Sequence, residues 1–74
     1  MSDSHPTSVQ LQVNGENHDC PPQTSLPAFL ESIDLNPQLV AVEYNGEILQ
    51  RSLWPQTIIQ QDDRLEIVTI VGGG

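Results

Sequence analysis

Val9, Leu11 and Val13 alternate with Gln10 and Gln12. A period of two over five residues predicts a strand with one buried face. Asn14-Gly15 follows, the pair that best supplies the two left-handed positions of a type I′ hairpin. Glu16 to Cys20 is then the return strand. It is polar, as suits an edge that must resist pairing with other chains, and Pro21-Pro22 ends it, because proline cannot donate to a ladder. The period then changes. Leu26, Phe29, Leu30 and Ile33 stand at i, i+3, i+4 and i+7, one apolar stripe at helical spacing. Ser25 is a natural N-cap and Pro27 falls in the first turn, where its missing N–H is not needed. The helix is expected from about Ser25 to Ile33, with Asn36-Pro37 closing the segment. Leu39 to Tyr44 is a strand dense in β-branched residues, Asn45-Gly46 a second hairpin signal, and Glu47 to Leu49 the return strand. Arg51 to Pro55 is expected to form one 3₁₀ turn stopped by the proline. Gln60 to Asp63 is a polar turn. Arg64 to Val71 is the last strand, followed by Gly72, Gly73 and Gly74.

A single helix with one apolar stripe must cover one face of a sheet, which makes the fold α+β. The first and last strands are the best patterned and are expected as parallel central neighbours with a hairpin on each flank. The resulting mixed sheet has the order 2-1-5-3-4. Its inward set would be Val9, Leu11, Val13, Leu26, Phe29, Leu30, Ile33, Val40, Val42, Ile48, Leu65 and Ile67. With Leu65 and Ile67 facing the helix, Val68 and Ile70 face away from it. Beside outward-facing Leu39 and Ala41 they would form an exposed apolar patch, the kind of surface that marks a partner site. Val71, next to the glycines, is expected in the same surface. The organisation expected is a flexible tail over residues 1–8, one domain over 9–69 and a glycine-rich tail over 70–74.

Charge narrows the partners. Two arginines stand against ten acids in 74 residues, a net charge of −8. A nucleic-acid backbone or an anionic membrane needs a basic footprint, so neither is expected, and the partner surface should be neutral or basic. Both basic residues are arginines, so lysine Schiff-base chemistry and side-chain isopeptide acceptance are excluded. The one cysteine, Cys20, excludes an internal disulfide framework, and a fold without staples suggests a reducing, cytoplasmic compartment. No run approaches the ~20 apolar residues of a membrane span, and Met1 to Ser8 lacks the pattern of a signal peptide. His18 and Cys20 are two ligands at most and do not close a zinc site, so no metal is expected. No base is placed to activate Cys20, which reads as a small filler at the sheet end. Asp62-Asp63 reads as a solvated loop, Trp54 as a cover for the core's open end, and Arg51 as the partner of an acid. No constellation of side chains points to an enzyme.

Three segments carry a resemblance: Val40-Ala41-Val42-Glu43-Tyr44-Asn45-Gly46, Arg51-Ser52-Leu53-Trp54, and Leu65-Glu66-Ile67-Val68 leading to Gly73-Gly74. Together, over Val9 to Gly74, the chain resembles the ThiS family, the sulfur carrier proteins of thiamine biosynthesis. Two departures stand out. Many members carry Gly-Asp where this chain has Asp62-Asp63. The arginines that precede the glycines of ubiquitin are replaced by Ile70, Val71 and Gly72. The resemblance implies a β-grasp, ubiquitin-like fold and a carrier with no bound cofactor. A ThiF-type adenylyltransferase would use ATP to activate the Gly74 carboxylate. Sulfur, ultimately from a donor such as a cysteine desulfurase, would then convert it to a thiocarboxylate. A ThiG-type thiazole synthase would consume that group. Gly72 and Gly73 would let the tail thread a narrow channel, since glycine has no Cβ. Two other readings stay open: the small subunit of a molybdopterin synthase, with the same fold and tail, and a ubiquitin-like interaction module that is never activated.

Overall fold

The computed structural model describes residues 8–70. Strand β1 (Val9–Val13) turns through Asn14-Gly15 into β2 (Glu16–Cys20). Helix α1 (Leu26–Ser32) follows, then a 3₁₀ turn (Pro37–Leu39) and β3 (Val40–Tyr44). Asn45-Gly46 leads into the short β4 (Glu47–Ile48), a 3₁₀ helix covers Arg51–Gln56, and β5 (Asp63–Thr69) closes the sheet. The five strands form one sheet in the order β2-β1-β5-β3-β4, with β1 parallel to β5 and the other neighbours antiparallel. This is the β-grasp arrangement, with the order that the pattern predicts.

Local chemistry explains each boundary. Asn14 and Gly15 have φ of 51° and 83°, and Asn45 and Gly46 have 52° and 93°, the two left-handed positions of a type I′ turn. Ser25 caps α1 by accepting from the Ala28 amide at 3.3 Å. The helix stops earlier than Asn36-Pro37. Asp34 turns left-handed with φ 67°, Leu35 N–H donates to Leu30 carbonyl at 2.9 Å and Asp34 N–H to Glu31 carbonyl at 3.0 Å. These two bonds form a Schellman motif, with Asp34 where glycine is usual. Asn36-Pro37 instead opens the following 3₁₀ turn, and Asn36 Oδ1 accepts the Gln38 amide at 2.9 Å. Leu39 therefore ends that turn, and β3 begins at Val40. Pro55 does not stop its segment. It lies inside the 3₁₀ helix, which runs on to Gln56.

The core between α1 and the sheet holds Leu11, Val13, Cys20, Leu26, Phe29, Leu30, Val40, Val42, Trp54, Ile59, Leu65 and Ile67. Val9 and Ile33 are partly buried against it. Ile48 is a correction: expected inward, it is 78% exposed. The two-residue turn pairs Tyr44 with Glu47 and Glu43 with Ile48, so Ile48 shares the outer face with Glu43. Ile59 takes up core space the pattern did not assign. Its amide donates to Thr24 carbonyl at 2.9 Å and Leu26 N–H to Thr57 carbonyl at 2.8 Å, which places it under the start of α1. The expectations for residues 1–7 and for Val71, Gly72, Gly73 and Gly74 lie outside the described residues.

Candidate partner surface

Among the described residues, one face of the sheet has no helix over it. Ala41 lies directly opposite Val68 in the β3–β5 ladder. Two residues further along each chain, Ile70 N–H donates to Leu39 carbonyl at 2.7 Å. The fold thus brings Leu39, Ala41, Val68 and Ile70 together on this open face. Leu39, Val68 and Ile70 are 50%, 61% and 45% exposed, and Ala41 is half-buried. Val71, Gly72, Gly73 and Gly74, which follow Ile70 in sequence, are not among the described residues. The strip is bordered by acids. Glu43 stands opposite Glu66, a like-charge pair that costs rather than gains sheet stability. Ile48 lies beyond Glu43. The sequence-based reading missed it because the register of the two-residue hairpin was not carried through.

The other half of the open face is polar. A shallow hollow of about 600 Å³ is lined there by Gln10, Gln12, Asn17, Asp19, Asp62 and Arg64, among others.

Asp63 is a second correction. It is not solvated but buried, on the inner face opposite Leu11. Its carboxylate accepts from Tyr44 Oη, from Asn45 Nδ2 at 3.1 Å and from the Gln60 amide at 2.7 Å. Burial, then the hydrogen bond and charge of Asp63, push the Tyr44 phenol well above its ordinary range. Asp62 has φ 69° and donates its amide to Gln10 carbonyl at 2.7 Å. It adopts the left-handed conformation that a glycine would take without cost, and aspartate is among the side chains that tolerate it.

Arg51 does not meet an acid among the described residues either. Its guanidinium donates to the carbonyls of Pro37 and Val40, both at 2.7 Å, and lies 4.8 Å over the Trp54 ring. Trp54 is buried, as expected of a cover, and its indole N–H donates to Leu49 carbonyl at 3.0 Å. Cys20 is buried in the core. Burial pushes its thiol up, against a hydrogen bond from Thr24 that lowers it, with Asp19 and Asp63 adding to the rise. His18 packs edge-on to Phe29 at 6.1 Å between ring centres. Among the described residues no group of three or more His, Cys, Asp or Glu is placed to hold a metal, and no helix is long and apolar enough to cross a membrane.

The ThiS family model matches residues 11–74. The chain belongs to the ThiS family. Its members are the sulfur carriers of thiamine biosynthesis, small carrier proteins rather than catalysts. An uncharacterized protein ycf40 of Pyropia yezoensis is 40% identical over 92% of this chain and 96% of its own length. A thiazole synthase of Magnetococcus marinus is 33% identical over 89% of this chain, but the matched stretch is only 20% of that protein. Among solved structures, the thiamine biosynthesis protein ThiS of Geobacter metallireducens superposes with a TM-score of 0.74 at 28% identity. That match covers 89% of this chain and all of the other.

Proposed function

We propose that this chain carries sulfur as a thiocarboxylate on Gly74. The observation that carries the reading is the exposed strip of Leu39, Ala41, Val68 and Ile70, which runs to the residue just before Val71-Gly72-Gly73-Gly74. A docking surface at that end of β5 would lie beside the glycines in sequence. A carboxylate is a poor acyl electrophile, so the reaction is split in two. A ThiF-type adenylyltransferase would hold ATP. The Gly74 carboxylate oxygen attacks the α-phosphorus and pyrophosphate leaves. Sulfide sulfur then attacks the acyl carbon and AMP leaves, with sulfur drawn in the cell from a donor such as a cysteine desulfurase. Glycines without Cβ atoms let the tail enter a narrow site, and three extended residues reach roughly 10 Å beyond the sheet. A ThiG-type thiazole synthase would take the sulfur. The similarity of this chain to one-fifth of a protein named thiazole synthase supports that partner, and supports the thiamine reading over a molybdopterin-synthase subunit.

No side chain performs the chemistry in this reading. Intact mass after incubation with adenylyltransferase, ATP and sulfide tests it. The wild type gains the difference of one oxygen replaced by sulfur, and Cys20→Ser gains the same. Deleting Gly74, which withdraws the carboxylate by roughly 3.3 Å, abolishes the gain, because near-attack geometry tolerates only small displacements. A gain that follows Cys20 and survives the deletion would place the sulfur on the thiol and end this reading.

A further inference from the structure

Arg51 stands at a break in the hydrogen-bonding of β3. On one side, β3 is paired along its length with β5, from Val40–Thr69 to Tyr44–Leu65. On the other side, β4 supplies only two paired residues, and the ladder ends where Leu49 N–H donates to Val42 carbonyl at 3.0 Å. The next outward-facing carbonyl is that of Val40, two residues back along β3. No strand reaches it. Arg51 Nη2 donates to it instead, at 2.7 Å, while Nη1 of the same guanidinium donates to Pro37 carbonyl at 2.7 Å. The guanidinium lies 4.8 Å over the Trp54 ring. Trp54 is fixed by burial and by its bond to Leu49 carbonyl.

We infer that Arg51 is a positioning residue for the carrier tail. It grips Pro37 and Val40, which flank Gln38 and Leu39. Leu39 carbonyl is the acceptor of the Ile70 amide, the last backbone bond before Val71 and the three glycines. The order of this short span therefore sets where the chain leaves the sheet. The side chain suits the task. The guanidinium is a planar fork that reaches two acceptors at once, and it stacks on aromatic rings. A lysine ammonium is a point charge without that geometry. The role in charging rests on the reading of the chain as a thiocarboxylate carrier. The role in holding Ile70 does not.

Amide hydrogen exchange in the free full-length chain, read by NMR, tests the second directly. The Asn45 amide, which donates to Arg64 carbonyl at 2.8 Å at the far end of the same strand pair, is the internal reference. In Arg51→Met the Ile70 amide should exchange about tenfold or more faster relative to Asn45. The basis is the loss of at least one charge-assisted bond from the local opening equilibrium. Arg51→Lys, which keeps the charge and the stem, should fall between. It also serves as the test variant should Arg51→Met fail to fold. An unchanged ratio in the variant that folds, or a wild-type Ile70 amide that exchanges like an unstructured one, overturns the inference. With adenylyltransferase, ATP and sulfide, Arg51→Met should lower kcat for charging with KM for the carrier held, since a displaced tail spoils the reacting geometry rather than docking. A rise in KM alone would make Arg51 a contact residue and overturn its positioning role. A chain with the expected exchange that never gains sulfur would count against the carrier reading and leave the grip on Ile70 standing.

Discussion

Three donors meet at the Asp63 carboxylate: the Tyr44 phenol at the end of β3, the side chain of its neighbour Asn45 in the second turn, and the distant Gln60 amide. Polar groups removed from water are costly unless they are bonded, and this set keeps Asp63 satisfied on the inner face. The sequence shows two adjacent acids in a polar turn and gives no local sign that one of them is buried. The sign lies further along. Extending the inward alternation of Ile67 and Leu65 back by two residues reaches Asp63, so its placement was legible only once the strand was started one residue earlier, at Asp63 instead of Arg64. The pairing has a consequence for pH. The folded chain holds the Tyr44 phenol protonated beyond its ordinary range, through burial first and Asp63 second. A phenol raised on folding contributes its full stability below the unfolded value of about 10 and loses it as pH rises beyond. The wild type should therefore lose stability steeply above that pH, and Tyr44→Phe should show a flatter alkaline limb. At neutral pH the variant should be less stable by about 1–3 kcal/mol, since Asp63 loses a donor. Tyr44 is the sole tyrosine, so its ionisation can be followed by ultraviolet absorbance alongside urea unfolding. Parallel pH profiles for the two proteins would refute the assignment.

Both hairpins use their first turn residue twice. Asn14 adopts the left-handed conformation, and its amide then completes the edge of β5 beyond the end of β1. Oδ1 accepts the Ile67 amide at 2.8 Å and Nδ2 donates to Ile67 carbonyl at 3.2 Å. Asn45 does the same on the other flank, accepting the Arg64 amide at 2.8 Å. Each hairpin thus clamps the central strand with a side chain as well as a ladder. The Asn-Gly pairs identified the turns from local sequence alone. Their second use could not be read there, because it needs β5 beside both of them. The misplacement of Ile48 has the opposite character. Its outward position follows from the two-residue turn by counting, and an apolar side chain was allowed to outweigh the register. Asn14→Ala should lose two hydrogen bonds at about 1 kcal/mol each and add roughly 1 kcal/mol of left-handed strain, for about 2–3 kcal/mol in urea unfolding. Asn14→Gly removes the bonds without the strain and should cost about 1 kcal/mol less. Equal losses for the two variants would show that the conformation, not the bridge to Ile67, is without effect, and a wild-type midpoint for both would remove the clamp altogether.

At the scale of the whole molecule, the chain divides its surfaces by charge and burial. One face of the sheet is closed by α1 and the other carries an apolar strip beside Glu43 and Glu66. The chain as a whole carries a net charge of −8. A partner docking on such a surface would need an apolar seat and a basic rim, because complementary potential speeds encounter and a like-charged rim repels. The strip was legible in the sequence as the outward half of two alternating strands. The grip of Arg51 on Pro37 and Val40 was not, since no pattern links an arginine that follows β4 to carbonyls at the start of β3. Two measurements on the complex with the adenylyltransferase separate the apolar and electrostatic parts. Ile70→Asp puts a carboxylate into the apolar seat on a side chain that is 45% exposed in the free chain. The fold should keep its thermal midpoint to within a few degrees, because surface changes alter stability little. Binding should weaken about tenfold or more, from lost apolar contact worth ~1.5 kcal/mol and a charge left facing it. Gln12→Glu, on the polar half of the same face, adds an equal charge outside the strip and should change affinity far less. Raising salt should weaken the wild-type complex mainly through slower association, since attraction across more than about 8 Å is screened at physiological ionic strength. If Ile70→Asp and Gln12→Glu weaken binding equally, the seat is general negative charge and not the strip. If affinity is unchanged by salt, the acidic surround plays no part in recruiting the partner.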